Sequence, residues 1–132
     1  SMKVYFCLVL VRCDGLRMSV HSYFCTSNGL SDNVYLKIGD AEGNNVCNYL
    51  PFDSTVVGIN STAKDNQASD KGFDIIDDTT TVTGFYHTNW EYSSMTEDIQ
   101  LSSGAKLKVY VQSDGGDVED PIVKLDIRWR HV

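Results

Sequence analysis

The chain has no long apolar run: nowhere in its 132 residues is there anything near the roughly 20 consecutive apolar positions that a bilayer-spanning helix needs. Any membrane contact is therefore peripheral. The longest run, residues 4–11 (VYFCLVLV), meets Arg12 and Asp14 where a signal peptide would carry small residues. Its Val and aromatic content reads as a strand buried on both faces. The first two residues, Ser1 and Met2, read as a cloning scar.

Clustered positive charge is also missing. Eleven Lys and Arg are scattered among 18 Asp and Glu, for a net charge of -7, and phosphate binding needs concentrated base, so nucleic acid is excluded as a partner. The same balance opposes simple docking on anionic lipid; a membrane-binding role requires cations or apolar loop tips to overcome the repulsion. There is no C-x-x-C pair, which argues against a thiolate zinc site. There is no G-x-S-x-G elbow and no phosphate-cradling glycine loop, and His21, His87 and His131 lie far apart without metal-ligand spacing. The chain reads as a non-enzyme.

Helical periodicity is the last absence, since no window carries a 3.6-residue stripe with caps. Period two dominates instead. In residues 33–39, Val34, Leu36 and Ile38 alternate with Tyr35 and Lys37. In 106–111, Leu107, Val109 and Val111 alternate with Lys108 and Tyr110. In 123–130, Val123, Leu125, Ile127 and Trp129 alternate with Lys124, Asp126, Arg128 and Arg130. Residues 17–24 alternate more loosely. Turn signals such as Asp14-Gly15, Ser27-Asn28-Gly29, Ser103-Gly104 and Asp114-Gly115-Gly116 separate the strands. The spacing predicts one all-β domain over residues 3–132, an antiparallel sandwich of about eight strands. Residues 47–80, rich in Gly, Ser, Thr, Asn and Asp around short apolar fragments, read as a long loop or insertion with one or two short strands.

All four cysteines, Cys7, Cys13, Cys25 and Cys47, fall in the first 47 residues. They are disulfides or buried thiols, and three pairings are open. Their even number, with the glycosylation acceptor Asn60-Ser61-Thr62 in a polar loop, points to a secreted or cell-surface glycoprotein, peripheral if it meets a membrane.

Three stretches, in order, resemble a C2 domain. Residues 27–38 (SNGLSDNVYLKI) are similar to that family's loop 1 and following strand. Thr81-Val82-Thr83, then Thr88-Asn89-Trp90-Glu91, resemble its T-x-hydrophobic … T-x-N-P-x-W-x-E passage without the proline. Leu107-Lys108-Val109-Tyr110-Val111, running into Asp114, Asp117, Glu119 and Asp120, looks like the strand that enters the acidic loop 3. An added strand at the front and none after loop 3 resembles the permuted, type II form, and the flavour is nearest to secreted C2 modules of perforin-type proteins.

The resemblance implies an eight-stranded C2-like sandwich that binds phospholipid membrane through end loops, with calcium between loop acids and lipid phosphates. Calcium takes six to eight oxygen ligands, and the acids at matching places are Asp32, Asp114, Asp117, Glu119 and Asp120. Ser113 and Gly115 stand where the family carries two alternating Asp. Asp65, Asp70, Asp74, Asp77 and Asp78, further acids in the 47–80 segment, could complete a site, but runs like these are more often exposed loop charge. Phe24, Leu30, Leu50 and Phe52 are the apolar side chains expected nearest the tips, although each also suits core or loop packing. The alternative is a recognition sandwich that binds a protein receptor or glycan without lipid.

Overall fold

A computed structural model describes residues 6–13, 16–27, 29–31, 33–41, 43, 45–66, 71–87, 91–112 and 118–130. Among them there is no helix, and every strand pairing is antiparallel. The strands are β1 (Phe6–Cys13), β2 (Leu16–Thr26), β3 (Leu30–Ser31), β4 (Val34–Tyr35), β5 (Asn48–Tyr49), β6 (Ser54–Thr62) and β7 (Asp65–Asn66). They continue as β8 (Lys71–Asp77), β9 (Thr80–His87), β10 (Glu91–Ser94), β11 (Ile99–Leu101), β12 (Lys106–Val111), β13 (Val118–Glu119) and β14 (Ile122–Trp129).

One sheet runs β1-β2-β14-β6-β10, with β11 also on β6; a second runs β4-β12-β8-β9, with β5 also on β12. A third, small sheet runs β3-β13-β7. The edge of β6 is thus covered by two short strands in turn, β10 at its C-terminal half and β11 at its N-terminal half. Between them β6 carries an irregularity at Val57, opposite the Asp126/Ile127 step of β14, and Val57 C=O accepts the Glu97 N–H. An extra residue in one strand breaks the ladder locally, and here two short strands, β10 and β11, share the edge where one longer strand would otherwise run.

The alternation read along β12 and β14 is the packing pattern. Val123, Leu125 and Ile127 from the first sheet meet Leu107, Val109, Val111, Phe73 and Ile75 from the second in one buried cluster. Each of these large side chains contributes about 1.5–3 kcal/mol by leaving water. The chain is a β-sandwich.

Three sequence expectations change. The 47–80 segment is not a long loop: it supplies β6 and β8, interior strands of the two main sheets, besides β5, β7 and the start of β9. Its pattern was masked because Ser54, Thr55 and Ser61 are buried polar residues and the irregularity at Val57 shifts the parity. Asn60 consequently sits in a strand. Residues 33–39 do not form one strand either: Tyr35 pairs with β12 of the second sheet, whereas Lys37 bridges to Thr26 of the first. The chain crosses between sheets there, so Leu36 is buried while Val34 is exposed. Asp126 does point away from the core, yet it is only 6% exposed, and Met95, itself exposed, lies over the neighbouring Gly58 with its sulfur 3.0 Å from where a Cβ would stand.

Candidate binding surface at the loop end

The small sheet gathers three loops at one end of the sandwich. Val118 of β13 pairs with Ser31 of β3 and with Asn66 of β7, and Glu119 pairs with Leu30 and Asp65. Backbone bonds extend the tie: Ser27 N–H to Pro121 C=O at 3.1 Å, Asp120 N–H to Gly29 C=O at 2.9 Å, and Lys64 N–H to Glu119 C=O at 2.9 Å. Two left-handed residues make these approaches possible, Gly29 at φ 74° and Asp120 at φ 50°, a region open to Gly and tolerated by Asp.

Asp120 closes the arrangement, its carboxylate accepting the Gly29 N–H. Glu119 faces Lys64 Nζ at 3.9 Å, with side-chain exposures of 30% and 70%, so this ion pair is solvent-screened and adds little. Both of the described acids expected to bind calcium are therefore engaged inside the protein. Asp32, Asp114 and Asp117 lie outside the described residues, as does Trp90. Ser31 and Val118, which precede Asp32 and follow Asp117 in sequence, are register partners. Among the described residues no group of three His, Cys, Asp or Glu is disposed to hold a metal ion.

The apolar residues expected at the tips are spread over the molecule. Leu30 belongs to β3 at the loop end, and Phe24 is half-buried on β2 beside Lys124. Leu50 is 1% exposed and part of the core. Phe52 is 38% exposed, but its ring lies 5.2 Å from that of Trp129, at the far end of β14 and about 23 Å along the strand from Ile122. The acids of the 47–80 segment are dispersed as well. Asp65 is in β7, Asp74 in β8, and Asp77 Oδ1 accepts the Lys106 N–H at 2.9 Å, while Asp78 turns the chain between β8 and β9; Asp70 lies outside the described residues.

Asn60 accepts the Ser93 hydroxyl at 2.7 Å and donates to Asp126 at 3.4 Å, so its amide belongs to a network on the outer face of the first sheet. Asp126 also accepts the Ser22 hydroxyl at 2.7 Å and faces Lys124 at 3.5 Å. Cys25 and Cys47 are free thiols; the side chains of Cys7 and Cys13 are outside the description. Full burial pushes the Cys25 thiol up to about 12, which keeps it protonated and inert. His21 is 1% exposed and stacks on Trp129 at 3.3 Å, deep in the first sheet.

One acid of the 47–80 segment is not loop charge. Asp74, on the outer face of the second sheet, receives Gln112 Nε2 on both carboxylate oxygens at 2.7 Å each. A signal for it is present in sequence, since Gly72 and Gly84 interrupt two strand-like segments, and glycine inside a strand marks a close approach. Comparison with protein-family models, with curated proteins and with solved structures found no match.

Proposed function

We propose that the chain is a non-catalytic recognition module, a C2-like sandwich whose eight-strand plan is carried with broken edges, and that its loop end binds a protein or glycan surface. The observation that carries this is the β3-β13-β7 sheet with its Asp120 latch: the described part of the end is held by internal bonds, which lowers the entropic cost of binding a partner. The same bonds occupy Glu119 and Asp120, and Leu50 and Phe52 lie away from this end. Both points count against lipid insertion as the mode of binding.

A second reading has one observation in its favour. Ser31 and Val118, the sequence neighbours of Asp32 and Asp117, are register partners, and calcium-assisted binding to phospholipid would draw acids from those two parts of the chain. Co-sedimentation with phosphatidylserine-containing liposomes, with calcium and with chelator, separates the two. No binding in either condition is expected. Calcium-dependent sedimentation overturns the recognition reading in favour of the membrane.

A further inference from the structure

The outer face of the second sheet carries a row of four register neighbours, Tyr35, Tyr110, Asp74 and Gly84. The two tyrosines meet edge to face with centroids 5.0 Å apart. Next to them is a notch of about 100 Å³ lined by Gly72, Asp74, Gly84 and Gln112, over the backbone of Phe73 and Phe85. Glycine at 84 is what leaves it open, because a Cβ there would come within 2.9 Å of Asp74 Oδ1. Strand-interior glycine weakens a sheet, so two of them flanking one carboxylate call for something that approaches the backbone closely.

The Asp74 carboxylate is held in place, yet none of the described residues supplies it with a counter-charge. Gln112 fixes both oxygens through one neutral amide nitrogen, and Gln112 is itself fixed by its N–H bond to Gly72 C=O at 2.9 Å. Among the described residues no Lys, Arg or His pairs with Asp74. Lys108, a neighbour on the same strand face, stands over the Tyr35 ring at 5.3 Å. An oriented carboxylate beside tyrosine rings, on a protein of net charge -7, is complementary to a cation.

We infer that the Asp74 notch receives a cationic side chain, a lysine ammonium or an arginine guanidinium, presented by a protein partner. In the chain, Gly72 follows Asn66 of β7 and Gln112 precedes Val118 of β13, so both sides of the notch are joined through the backbone to the surface proposed above. The inference rests on that recognition reading and narrows it to a basic protein surface.

The test is a titration of the whole isotope-labelled chain, followed by amide NMR, with acetyl-lysine methylamide, acetyl-arginine methylamide and the neutral isostere acetyl-citrulline methylamide. A single exposed ion pair binds in about the millimolar range or weaker. The expected result is saturable shifts at Gly72, Phe73, Gly84 and Phe85 with one or both cations and none with citrulline. Asp74→Asn should weaken them at least about tenfold, the loss of a charge-assisted contact. Gly84→Ala, which fills the notch and keeps the carboxylate, should weaken them too, and it serves if the first variant does not fold. Equal shifts with citrulline, no shifts with either cation, or shifts unchanged in Gly84→Ala overturn the inference. The liposome assay does not depend on this notch, so failure here and failure of the recognition reading are told apart.

Discussion

Replacing Asp120 by alanine removes two supports of the loop end at once. Its carboxylate accepts the Gly29 N–H, and its backbone sits at φ 50°, a region that Asp adopts more readily than alanine because its short polar side chain can hydrogen-bond locally. A hydrogen bond to a charged acceptor is worth about 1.5–3 kcal/mol, and exposure of this one favours the lower figure. Moving alanine into the left-handed region adds about 1 kcal/mol. The expected loss for Asp120→Ala is thus about 2.5 kcal/mol. Asp120→Asn retains an acceptor and tolerates the dihedral angle, so it should lose less than about 1 kcal/mol. Asp120→Gly relieves the angle but not the lost bond and should fall between. Because the loop end can open without the sandwich unfolding, urea denaturation needs to be paired with native-state hydrogen exchange at Gly29. Exchange there should accelerate by roughly sixtyfold in the alanine variant, since each 1.4 kcal/mol is about a factor of ten. Unchanged exchange in Asp120→Ala, or an asparagine variant as damaged as the alanine one, would refute the latch.

Two further outcomes follow from buried groups. Cys25 should resist iodoacetamide in the native protein at pH 8 and label only on unfolding, because burial pushes its thiol from 9.0 to about 12; peptide mass mapping that finds native Cys25 labelled at the rate of a free thiol contradicts this. The raised value also sets a sign: the unfolded thiol ionises first, so its contribution is full below pH 9.0 and is lost as pH rises toward about 12. Cys25→Val should therefore show a smaller alkaline fall in urea midpoint than the wild type. Asn60→Ala, measured on bacterially produced protein that carries no glycan, should cost about 0.5–1.5 kcal/mol, chiefly by removing a donor from the part-buried Asp126, since water can replace the exposed bond to Ser93. A change below about 0.5 kcal/mol would deny Asn60 a structural role.

The strands that were legible in sequence are those whose neighbours obey the simple pattern. In β12 and β14 apolar residues alternate with Lys, Tyr and Arg, and the alternating apolar set is the set that packs. β6 hid itself for physical reasons: its buried Ser54, Thr55 and Ser61 look like loop composition, and the irregularity at Val57 breaks the period. The site was legible only in outline. Loop residues near 29–31 and 118–120 do meet, but what the acids do there depends on Lys64 and Gly29, partners that no spacing rule selects. Asp74 is one of several acids in the 47–80 segment, set apart in sequence only by the nearby Gly72; its partner Gln112 and the facing Gly84 come from other parts of the chain.

The amino-acid sequence alone determined that the protein is built from strands and which faces of β12 and β14 turn inward, because a period of two is a property of neighbouring residues in one extended segment. Only the tertiary structure decided that 47–80 supplies interior strands of both sheets, that β3, β7 and β13 close one end, and that Tyr110, Asp74, Gly84 and Gln112 share a surface. Those adjacencies depend on sheet order and register, which join residues tens of positions apart, and on single bonds such as Asp120 to Gly29 that form only once the strands are in place.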